Sequence, residues 1–341
     1  MRSALCTCQP GYEALLAREW TAAGGAESAR GPGWMMAAAP VPDAELVFAH
    51  LILEDPASLE GDSVNRLAQS GLTWFGDSIR GERIESEWPI LWQGAADAVG
   101  LARRAASVEN AFATGLQRQF SRVAKLACRR LPTAIGPARG VFVYFTDFNH
   151  AWASRAAFVN GQRRMADDPA APSRSYLKVE EAYLLLGREP APGETVADLG
   201  AAPGGWSYSA ARRGARVTAV DNGPLKGGAL NHPNIEHVKA DAFRFAPASG
   251  SKFDWLFCDL VEEPHHVLSH LVGPWLAHGW CRQFIVNLKF GRVDPLAFLA
   301  QLRSPDSPLA RASAVRIRHL FHDREEFTVA GVLANGTHAS S

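Results

Sequence analysis

The sequence lacks three features: a net charge, an apolar run of membrane length and a pattern of paired cysteines. Its 341 residues hold 35 lysines and arginines against 35 aspartates and glutamates, so no overall positive field attracts nucleic acid. Any basic surface for such a partner has to be local. No apolar run approaches the length of a membrane span, and the first residues do not combine a basic flank with an apolar core. We therefore expect a soluble, cytoplasmic protein that binds no membrane.

The five cysteines exclude a disulfide framework and a zinc site. Cys6 and Cys8 lie two residues apart on a predicted strand and face the same side, but no second pair completes a set of four ligands. Cys128, Cys258 and Cys281 are scattered through the rest of the chain. We expect buried free thiols in a reducing compartment, and we predict no metal site.

The length and the 47% hydrophobic content are sufficient for two globular domains with separate cores. The chain has no internal repeat and no low-complexity tract. A polar, proline-bearing segment at residues 163–172 marks the boundary between the two domains. We predict an N-terminal domain at residues 1–165, a linker at 166–172, a second domain at 173–334 and a disordered tail at 335–341.

The pattern of the first domain predicts a small α+β fold. The expected elements are strands at 3–8 and 34–41, a helix at 12–23, a loop with one helical turn at 56–71, and a β-hairpin formed by 141–145 and 151–158.

A longer helix is predicted at residues 110–131, where apolar residues recur at helical spacing. Arg118, Arg122, Lys125 and Arg129 follow at intervals of four, three and four on a neighbouring face, with no acidic residue between them. Such a row of cations is either a solvated helix face or a surface that contacts RNA phosphates.

Helix and strand signals alternate through the second domain, which predicts a doubly wound α/β sheet. The predicted helices span 176–186, 206–213, 264–276 and 295–303. The predicted strands span 195–199, 216–221, 237–240, 253–259, 283–288, 315–321 and 327–333. The last two strands are joined by a short charged turn, so we expect them to be antiparallel.

The segment Asp198-Leu-Gly-Ala-Ala-Pro-Gly-Gly-Trp206 ends a short apolar strand and leads into a helix, which is typical of a nucleotide-type pocket. Gly200, Gly204 and Gly205 carry no Cβ that would separate the backbone from a bound ligand. The next strand ends in Asp221, at the position where the hydroxyls of a ribose would be bound.

Two features separate this loop from a dinucleotide-binding loop. An Ala-Ala-Pro insert interrupts the Gly-x-Gly-x-x-Gly order, and Asp198 precedes the glycines. A carboxylate beside the loop repels a pyrophosphate but tolerates the cationic S-adenosylmethionine. We therefore favour S-adenosylmethionine over a dinucleotide, and also over an ordinary glycine turn without a ligand. Asp241, at the end of the following strand, is expected to lie beside the adenine.

Four charged residues occupy informative places in the second domain. Lys178 lies in the helix before the first strand, Asp259 and Lys289 each end a strand, and Glu326 opens the last strand. Parallel strands all finish at one edge of a sheet, and the last strand runs the other way. The three strand-end residues should therefore converge near the glycine loop. Each residue taken alone is also compatible with an ordinary surface charge.

A cluster of this kind suits the removal of a proton from a ribose hydroxyl, which is a poor nucleophile until its proton is lost. A lysine flanked by carboxylates is normally held charged, yet one near a sulfonium and a second lysine can give up its proton. We predict Lys289 as the base, Asp259 and Glu326 as the residues that orient it, and Lys178 as the residue that places the hydroxyl. Glu325, adjacent to Glu326, is the alternative acid.

The second domain resembles the FtsJ-type (RrmJ-fold) 2′-O-ribose methyltransferases with their Lys-Asp-Lys-Glu tetrad, and among them the bacterial RlmM family. The segments that carry the resemblance are Ala171-Pro-Ser-Arg-Ser-Tyr-Leu-Lys-Val-Glu-Glu-Ala182, the glycine loop, Val220-Asp-Asn-Gly-Pro224, Cys258-Asp-Leu-Val-Glu262, Gly279-Trp-Cys-Arg282, Asn287-Leu-Lys289 and His322-Asp-Arg-Glu-Glu-Phe-Thr328. The resemblance implies an N-terminal THUMP-bearing RNA-binding region that includes the basic helix. It also implies S-adenosylmethionine as methyl donor and a cytidine of 23S ribosomal RNA as target.

The predicted fold class is α/β, with a Rossmann-like S-adenosylmethionine-dependent methyltransferase sheet whose last strand is antiparallel. A smaller α+β, THUMP-like RNA-binding region precedes it. The predicted cofactor-binding residues are Ser173, Asp198, Gly200, Ala201, Pro203, Gly204, Gly205, Trp206, Asp221, Asp241 and Asp259.

Two alternatives to this function stay open. The first is a methyltransferase for another substrate, either a different RNA or a small molecule or protein side chain; a small-molecule or protein substrate would leave two lysines of the site without a role. The second is an RNA-binding ribosome-assembly protein with a degenerate methyltransferase fold. The presence of Lys178, Asp259 and Lys289 together disfavours the second. We expect a monomer, although the sequence carries no direct signal for the oligomeric state.

Overall fold

The computed structural model describes residues 3–38, 45–95 and 99–333. The chain forms two compact units, Met1–Gly161 and Gln162–Ser341, so the predicted linker at 166–172 falls within the second unit. The predicted tail at 335–341 lies outside the described residues. Among the helices of the described part, none has the length and apolar character that crossing a membrane requires.

The first unit is built on a mixed β-sheet with helices packed against it. Its strands are β1 (Ser3–Thr7), β2 (Glu27–Gly31), β3 (Trp34–Ala38), β4 (Leu51–Glu54), β5 (Ala57–Glu60), β6 (Trp88–Gly94), β7 (Ala127–Cys128), β8 (Gly136–Phe145) and β9 (His150–Val159). Its helices are α1 (Glu13–Ala22), α2 (Val64–Ser78), α3 (Leu101–Gln119) and α4 (Ser121–Ala124). The strand order is β2-β3-β1-β4-β9-β8-β6-β7, and β5 pairs with a further stretch of β9. Phe75 and Phe112 lie in the core shared by α2, α3 and the sheet.

The hairpin predicted in this unit is confirmed, because β8 and β9 pair antiparallel. The strand predicted at 34–41 is observed as β3, and residues 39–41 lie outside the described part. The loop predicted at 56–71 is wrong, since these residues form β5 and the first half of α2. Ser63 lies in a polar stretch that suggests a turn. Its side chain instead caps α2 by accepting a hydrogen bond of 3.2 Å from the Arg66 amide.

The helix predicted at 110–131 is wrong at both ends. α3 begins at Leu101 and ends at Gln119. Phe120 leaves helical geometry, with φ −133° and ψ 50°, and its ring packs edge-on against Phe75 with the ring centroids 5.8 Å apart. This tertiary contact overrides the helical spacing, and the chain continues as α4 and β7. The four predicted RNA-binding cations therefore do not share one helix face.

The second unit is a doubly wound sheet, as predicted. Its strands are β10 (Thr195–Leu199), β11 (Arg216–Val220), β12 (Ile235–Val238), β13 (Phe253–Cys258), β14 (Cys281–Lys289), β15 (Ala312–Arg318) and β16 (Glu326–Leu333). Its helices are α5 (Tyr176–Leu186), α6 (Gly205–Ala211), α7 (Pro264–Val267), α8 (Gly273–Ala277) and α9 (Pro295–Leu302). The strand order is β12-β11-β10-β13-β14-β16-β15, and β16 is antiparallel to both of its neighbours. The predicted antiparallel pair at the end of the sheet is confirmed.

The helix predicted at 264–276 is interrupted. A π-helical turn, Leu268–Val272, separates α7 from α8. Pro274 lies just beyond this turn and has no amide hydrogen for a regular helical bond, which accounts for the irregularity at this point.

The strand ends of the second unit meet at one edge of its sheet. Leu199 of β10 pairs with Cys258 of β13, and Cys258 pairs with Val286 of β14. Lys289 at the end of β14 lies directly opposite Glu326 at the start of β16. The central strands are buried on both faces, and sheets of this type bind ligands outside the carboxyl ends of their strands, so this edge is the expected place for a site.

The five cysteines are free thiols, and the two in the second unit are protonated at neutral pH. Four are buried as predicted and the fifth, Cys128, is half-buried, and all five are free. Burial raises the pKa of Cys258 and of Cys281 to about 12, so neither forms a thiolate at neutral pH.

Candidate active site

The predicted convergence of charged residues is confirmed by their contacts. The Nζ atom of Lys289 lies 2.6 Å from Oδ1 of Asp259 and also contacts Oε2 of Glu326. The Nζ atom of Lys178 lies 2.6 Å from Oε1 of Glu326 and 3.4 Å from Oδ2 of Asp259. Each lysine therefore contacts both carboxylates, and the four side chains form a closed ring of alternating charge.

The charges of the ring shift each other's pKa values. Burial alone would raise the pKa of Asp259, but Lys178 and Lys289 outweigh it and lower that pKa to about 2. The same two lysines outweigh burial at Glu326 and lower its pKa. Burial favours neutral Lys289, yet Asp259 and Glu326 together raise its pKa above the ordinary lysine value. Both acids are therefore ionised at neutral pH, and Lys289 holds its proton tightly.

Accessibility distinguishes the two lysines. The side chain of Lys289 is 25% exposed, whereas that of Lys178 is 11% exposed and that of Glu326 only 4%. Lys289 is thus the member of the ring that an incoming group reaches most readily. Glu325, the alternative acid, is exposed on the surface, and Glu326 is the acid that the structure places in the ring.

The ring opens into a cavity of about 1190 Å³ at the sheet edge. The predicted cofactor-binding residues that line this cavity are Ser173, Asp198, Gly200, Ala201, Pro203, Gly205, Trp206 and Asp259. Gly204, Asp221 and Asp241 are not among the lining residues.

The glycine loop has the geometry that requires residues without a Cβ. Gly200 and Gly204 have φ values of +80° and +102°, in the region that disfavours other residues. A Cβ on Gly200 would lie 2.4 Å from Cδ2 of Leu260, and one on Gly204 would lie 2.5 Å from Cβ of Ala229. Gly204 therefore allows close packing of the loop against Ala229 and does not line the cavity.

The acids next to the loop stabilise its conformation. Asp198 is buried, accepts a hydrogen bond of 2.5 Å from Oγ of Ser207, and has a pKa raised to about 7 by burial. Asp221 accepts hydrogen bonds from the amides of Ala202 at 2.9 Å and Gly223 at 2.7 Å, which ties the end of β11 to the loop.

Asp241 is placed differently from these two acids. It is exposed, and its carboxylate accepts a hydrogen bond of 2.9 Å from the Phe243 amide in the turn that follows β12.

Ser173 provides a test of whether a polar ligand fits this cavity. Its hydroxyl oxygen is buried and has no hydrogen-bond partner among the described residues. A buried hydroxyl without a partner is costly, and a ligand with a polar group would satisfy it. A Cβ on Gly205 would lie 2.9 Å from this oxygen, so the glycine keeps the approach open. The cavity thus fits a cofactor that carries polar groups, such as S-adenosylmethionine.

Sequence reasoning missed several residues that hold the ring in place. Oγ of Ser175 donates to Oδ2 of Asp259, and Nδ2 of Asn287 donates to Oδ1 of the same carboxylate at 3.3 Å. Thr328 in turn donates to Oδ1 of Asn287 at 2.7 Å. The spacing along the strands was an available signal, because residues two apart on a strand face the same side of the sheet. Asn287 lies two residues before Lys289, and Thr328 lies two residues after Glu326.

The predicted RNA-binding cations belong to the first unit and are all exposed. Arg118 lies in the last turn of α3, Arg122 in α4, Lys125 directly after α4, and Arg129 directly after β7. Arg129 is the exception in the set, because its Nε atom forms an ion pair of 2.9 Å with the Glu109 carboxylate. Among the described residues, the other three form no ion pair that competes with a phosphate.

The sheet order, the glycine loop and the family match together define the class of protein. Residues 171–277 match the model of the FtsJ-like methyltransferase family. The protein is therefore a methyltransferase, and S-adenosylmethionine is its methyl donor.

Similarity over the full chain narrows this class to one family. The chain is 34% identical over 365 residues to the ribosomal RNA large subunit methyltransferase M of Xanthomonas axonopodis pv. citri (strain 306). The alignment covers 96% of this chain and 99% of that protein. A protein of the same name from Halorhodospira halophila (strain DSM 244 / SL1) is 42% identical over 204 residues, or 58% of each chain. The chain belongs to the ribosomal RNA large subunit methyltransferase M family.

A solved structure is similar only at the level of the fold. A possible methylase from Clostridium difficile 630 aligns with 98% of this chain and 99% of its own, with a TM-score of 0.38 and 12% identity. Values this low do not bear on the reaction.

Proposed function

We propose that this protein methylates the 2′-hydroxyl of a cytidine in 23S ribosomal RNA. The observation that supports the reaction type is the ring formed by Lys178, Asp259, Lys289 and Glu326 beside the glycine loop. A methyl acceptor that is already nucleophilic needs no such ring, whereas a ribose hydroxyl has to lose a proton. The relatives named as ribosomal RNA large subunit methyltransferases support the substrate.

In this proposal Lys289 accepts the proton of the ribose hydroxyl. Lys289 is the more exposed of the two lysines of the ring, and its Nζ atom is held between two carboxylates. Asp259 and Glu326 orient that nitrogen, and Lys178 places the acceptor oxygen. S-adenosylmethionine, when bound, supplies an activated methyl group on a positively charged sulfonium.

The raised pKa of Lys289 has to be overcome before it can act as a base. Asp259 and Glu326 hold its proton, so positive charge next to them promotes its release. Lys178 provides part of that charge, because it contacts the same two carboxylates. Turnover is therefore expected to rise as pH increases above neutral, since the neutral form of Lys289 becomes more populated.

We also propose roles for the residues around the cofactor. Ser173 uses its buried hydroxyl to bind a polar group of the cofactor. Asp221 binds the ribose hydroxyls, because a carboxylate that accepts two backbone hydrogen bonds can still accept others. Asp241, which lies outside the cavity lining, is proposed to contact the adenine rim from the next strand end.

The first unit is proposed to capture the RNA as a THUMP-like region. The exposed side chains of Arg118, Arg122 and Lys125 are available to phosphates, and Arg129 contributes less because Glu109 already neutralises it. We place the reaction in the cytoplasm, where ribosomal RNA is processed, and we expect the protein to act as a monomer.

The test is a methyl-transfer assay with labelled S-adenosylmethionine and ribosomal RNA, both naked and assembled. A 2′-O-methyl product is recognised by an alkali-resistant linkage at the modified nucleotide. We expect a single such linkage with the wild type and none with Lys289→Ala. Methylation of a base, of another RNA class or of no RNA would overturn the proposal. Lys252→Ala, which removes an exposed lysine of the same unit, serves as the control.

A further inference from the structure

A hydrogen-bonded chain runs from Asp323 to Asp259 behind the ring. Oγ1 of Thr328 lies 3.0 Å from each carboxyl oxygen of Asp323 and 2.7 Å from Oδ1 of Asn287. Nδ2 of Asn287 lies 3.3 Å from Oδ1 of Asp259, the oxygen that contacts Lys289. Asn287 and Thr328 are fully buried register partners on β14 and β16, and Asp323 is 3% exposed.

The available protons determine the direction of the hydrogen bonds between Asp259, Asn287, Thr328 and Asp323. Asp259 is ionised, because its pKa is about 2, so the Asn287 amide has to present its NH₂ group to it. The amide oxygen of Asn287 then faces Thr328, whose single hydroxyl proton it accepts. The Thr328 oxygen and the Asp323 carboxyl are still only 3.0 Å apart. Of these two groups, only Asp323 can supply a proton for that contact.

We propose that Asp323 is a protonated carboxylic acid in the folded protein and that, by donating to Thr328, it positions Asp259 and thereby Lys289. The positioning role rests on the proposed function, whereas the protonation state does not. The hydrogen-bonded chain ends at Oδ1 of Asp259, the oxygen that contacts Lys289. The hydrogen bond from Asn287 stabilises the negative charge on this oxygen, which weakens the hold of Asp259 on the lysine proton.

The surroundings of Asp323 favour its neutral form. Burial, followed by the charge of Glu326, raises the pKa of Asp323 to about 8, although the Leu320 amide and Lys178 act in the opposite direction. From α5, both Lys178 and the buried Glu181 face it. Glu326 contacts both lysines of the ring and stays ionised, whereas burial raises the pKa of Glu181 as it does that of Asp323. The contact with Thr328 is what assigns a proton to Asp323.

Infrared difference spectroscopy tests the protonation state without any methyl transfer. The full-length wild type is compared at pH 7 with Asp323→Asn and with Asp306→Asn, which removes an exposed carboxylate of the same unit. We expect Asp323→Asn to remove a band of a protonated carboxyl group and Asp306→Asn to remove only a carboxylate band. A carboxylate band lost in both variants would overturn the proposal.

The pH dependence of stability gives a second, independent readout. The folded-state pKa of Asp323 is raised, so its contribution to stability is complete below pH 4 and is lost as the pH rises towards 8. The Asn variant does not titrate, and its stability relative to the wild type should therefore increase over that range. An Asn variant that fails to fold, or a difference that does not change with pH, would contradict a neutral Asp323.

Turnover measurements test the positioning role. Thr328→Val breaks the chain, and we expect kcat to fall roughly tenfold, the equivalent of one hydrogen bond, with cofactor affinity unchanged. Asp323→Asn keeps a donor to Thr328 and should retain much more turnover than Asp323→Ala. The turnover of Asp323→Asn relative to that of the wild type should rise as the pH passes 8, because the wild-type carboxyl loses its proton there and the asparagine keeps its donor. Equal turnover of the Asn and Ala variants would refute the positioning role, while a wild type inactive on ribosomal RNA would refute only the proposed function.

Discussion

Two charged regions of this protein differ in almost every physical respect. The ring at the sheet edge consists of paired charges with little exposure, whereas Arg118, Arg122 and Lys125 in the first unit are exposed cations. Burying charges costs several kcal/mol per ion before pairing compensates for it, whereas exposed charges cost little. A ring of four such groups beside the glycine loop is therefore the stronger indication of a functional site. The exposed cations carry no such signal, and only a binding measurement can assign them a role.

The largest expected effect is that of replacing the base. Lys289→Arg keeps the charge and much of the size, but guanidinium does not release its proton at neutral pH. We expect turnover to fall by about 10²–10⁴-fold, the usual contribution of a general base, with cofactor affinity unchanged. Single-turnover methylation of ribosomal RNA measures the effect, and Lys252→Arg is the matched control.

An arginine variant that methylates RNA at nearly the wild-type rate would change the interpretation of the ring. Lys289 would then supply only charge or position, and proton removal would belong to another group.

The sequence predicted the convergence of three ring members because their location depends only on topology. In a doubly wound sheet the strand ends meet at one edge, so Asp259, Lys289 and Glu326 could be placed together without coordinates. Asn287 and Thr328 could not be assigned in that way, because their contact requires the register of β14 against β16, which a one-residue slip would abolish.

The helix predicted at 110–131 is wrong because its end depends on a contact that is distant in sequence. The helix is ended by a tertiary contact, the packing of Phe120 on Phe75, and local spacing carries no information about that contact. The prediction for Asp221 concerned only the ribose hydroxyls of the cofactor. Its hydrogen bonds to the amides of Ala202 and Gly223 depend on the loop conformation, which the sequence pattern does not carry.

The stability of the ring gives the next largest effect. The pKa of Asp259 falls from an ordinary 3.8 to about 2, which corresponds to about 2 kcal/mol of stability. Because the folded pKa is lowered, this contribution is complete above pH 4 and disappears as the pH falls towards 2. Urea unfolding of Asp259→Asn should show its full deficit at pH 7 and a smaller one below pH 4. Glu262→Gln, at an exposed acid nearby, should show none.

A deficit of Asp259→Asn that stays constant with pH would mean that the lysines do not stabilise this carboxylate. The contrast between the paired ring and the exposed cations would then lose its energetic basis.

Cofactor binding is expected to respond to Asp221 more weakly than turnover responds to Lys289. Asp221→Ala removes an acceptor for the ribose hydroxyls and also the two hydrogen bonds that hold the loop. We expect the affinity for S-adenosylmethionine to fall by about 1–3 kcal/mol, as measured by calorimetry. Glu236→Ala, at an exposed acid on β12, is the control. Unchanged affinity of the Asp221 variant would remove this residue from the cofactor site.

The smallest expected effect tests the exposed side of the comparison. Reversing the charges of Arg118 and Arg122 to glutamate should weaken RNA binding without changing cofactor affinity, because the two residues belong to the first unit and the cavity to the second. Each phosphate contact that is lost should flatten the salt dependence by roughly 0.7 in a plot of log affinity against log salt for a single strand. Arg129→Glu should change the slope less, since Glu109 already pairs with that arginine. Arg66→Glu, at an exposed cation on α2, provides the baseline for nonspecific charge effects. If the slope of the Arg118 and Arg122 double variant equals that of Arg66→Glu, these cations are a solvated surface and RNA is bound elsewhere.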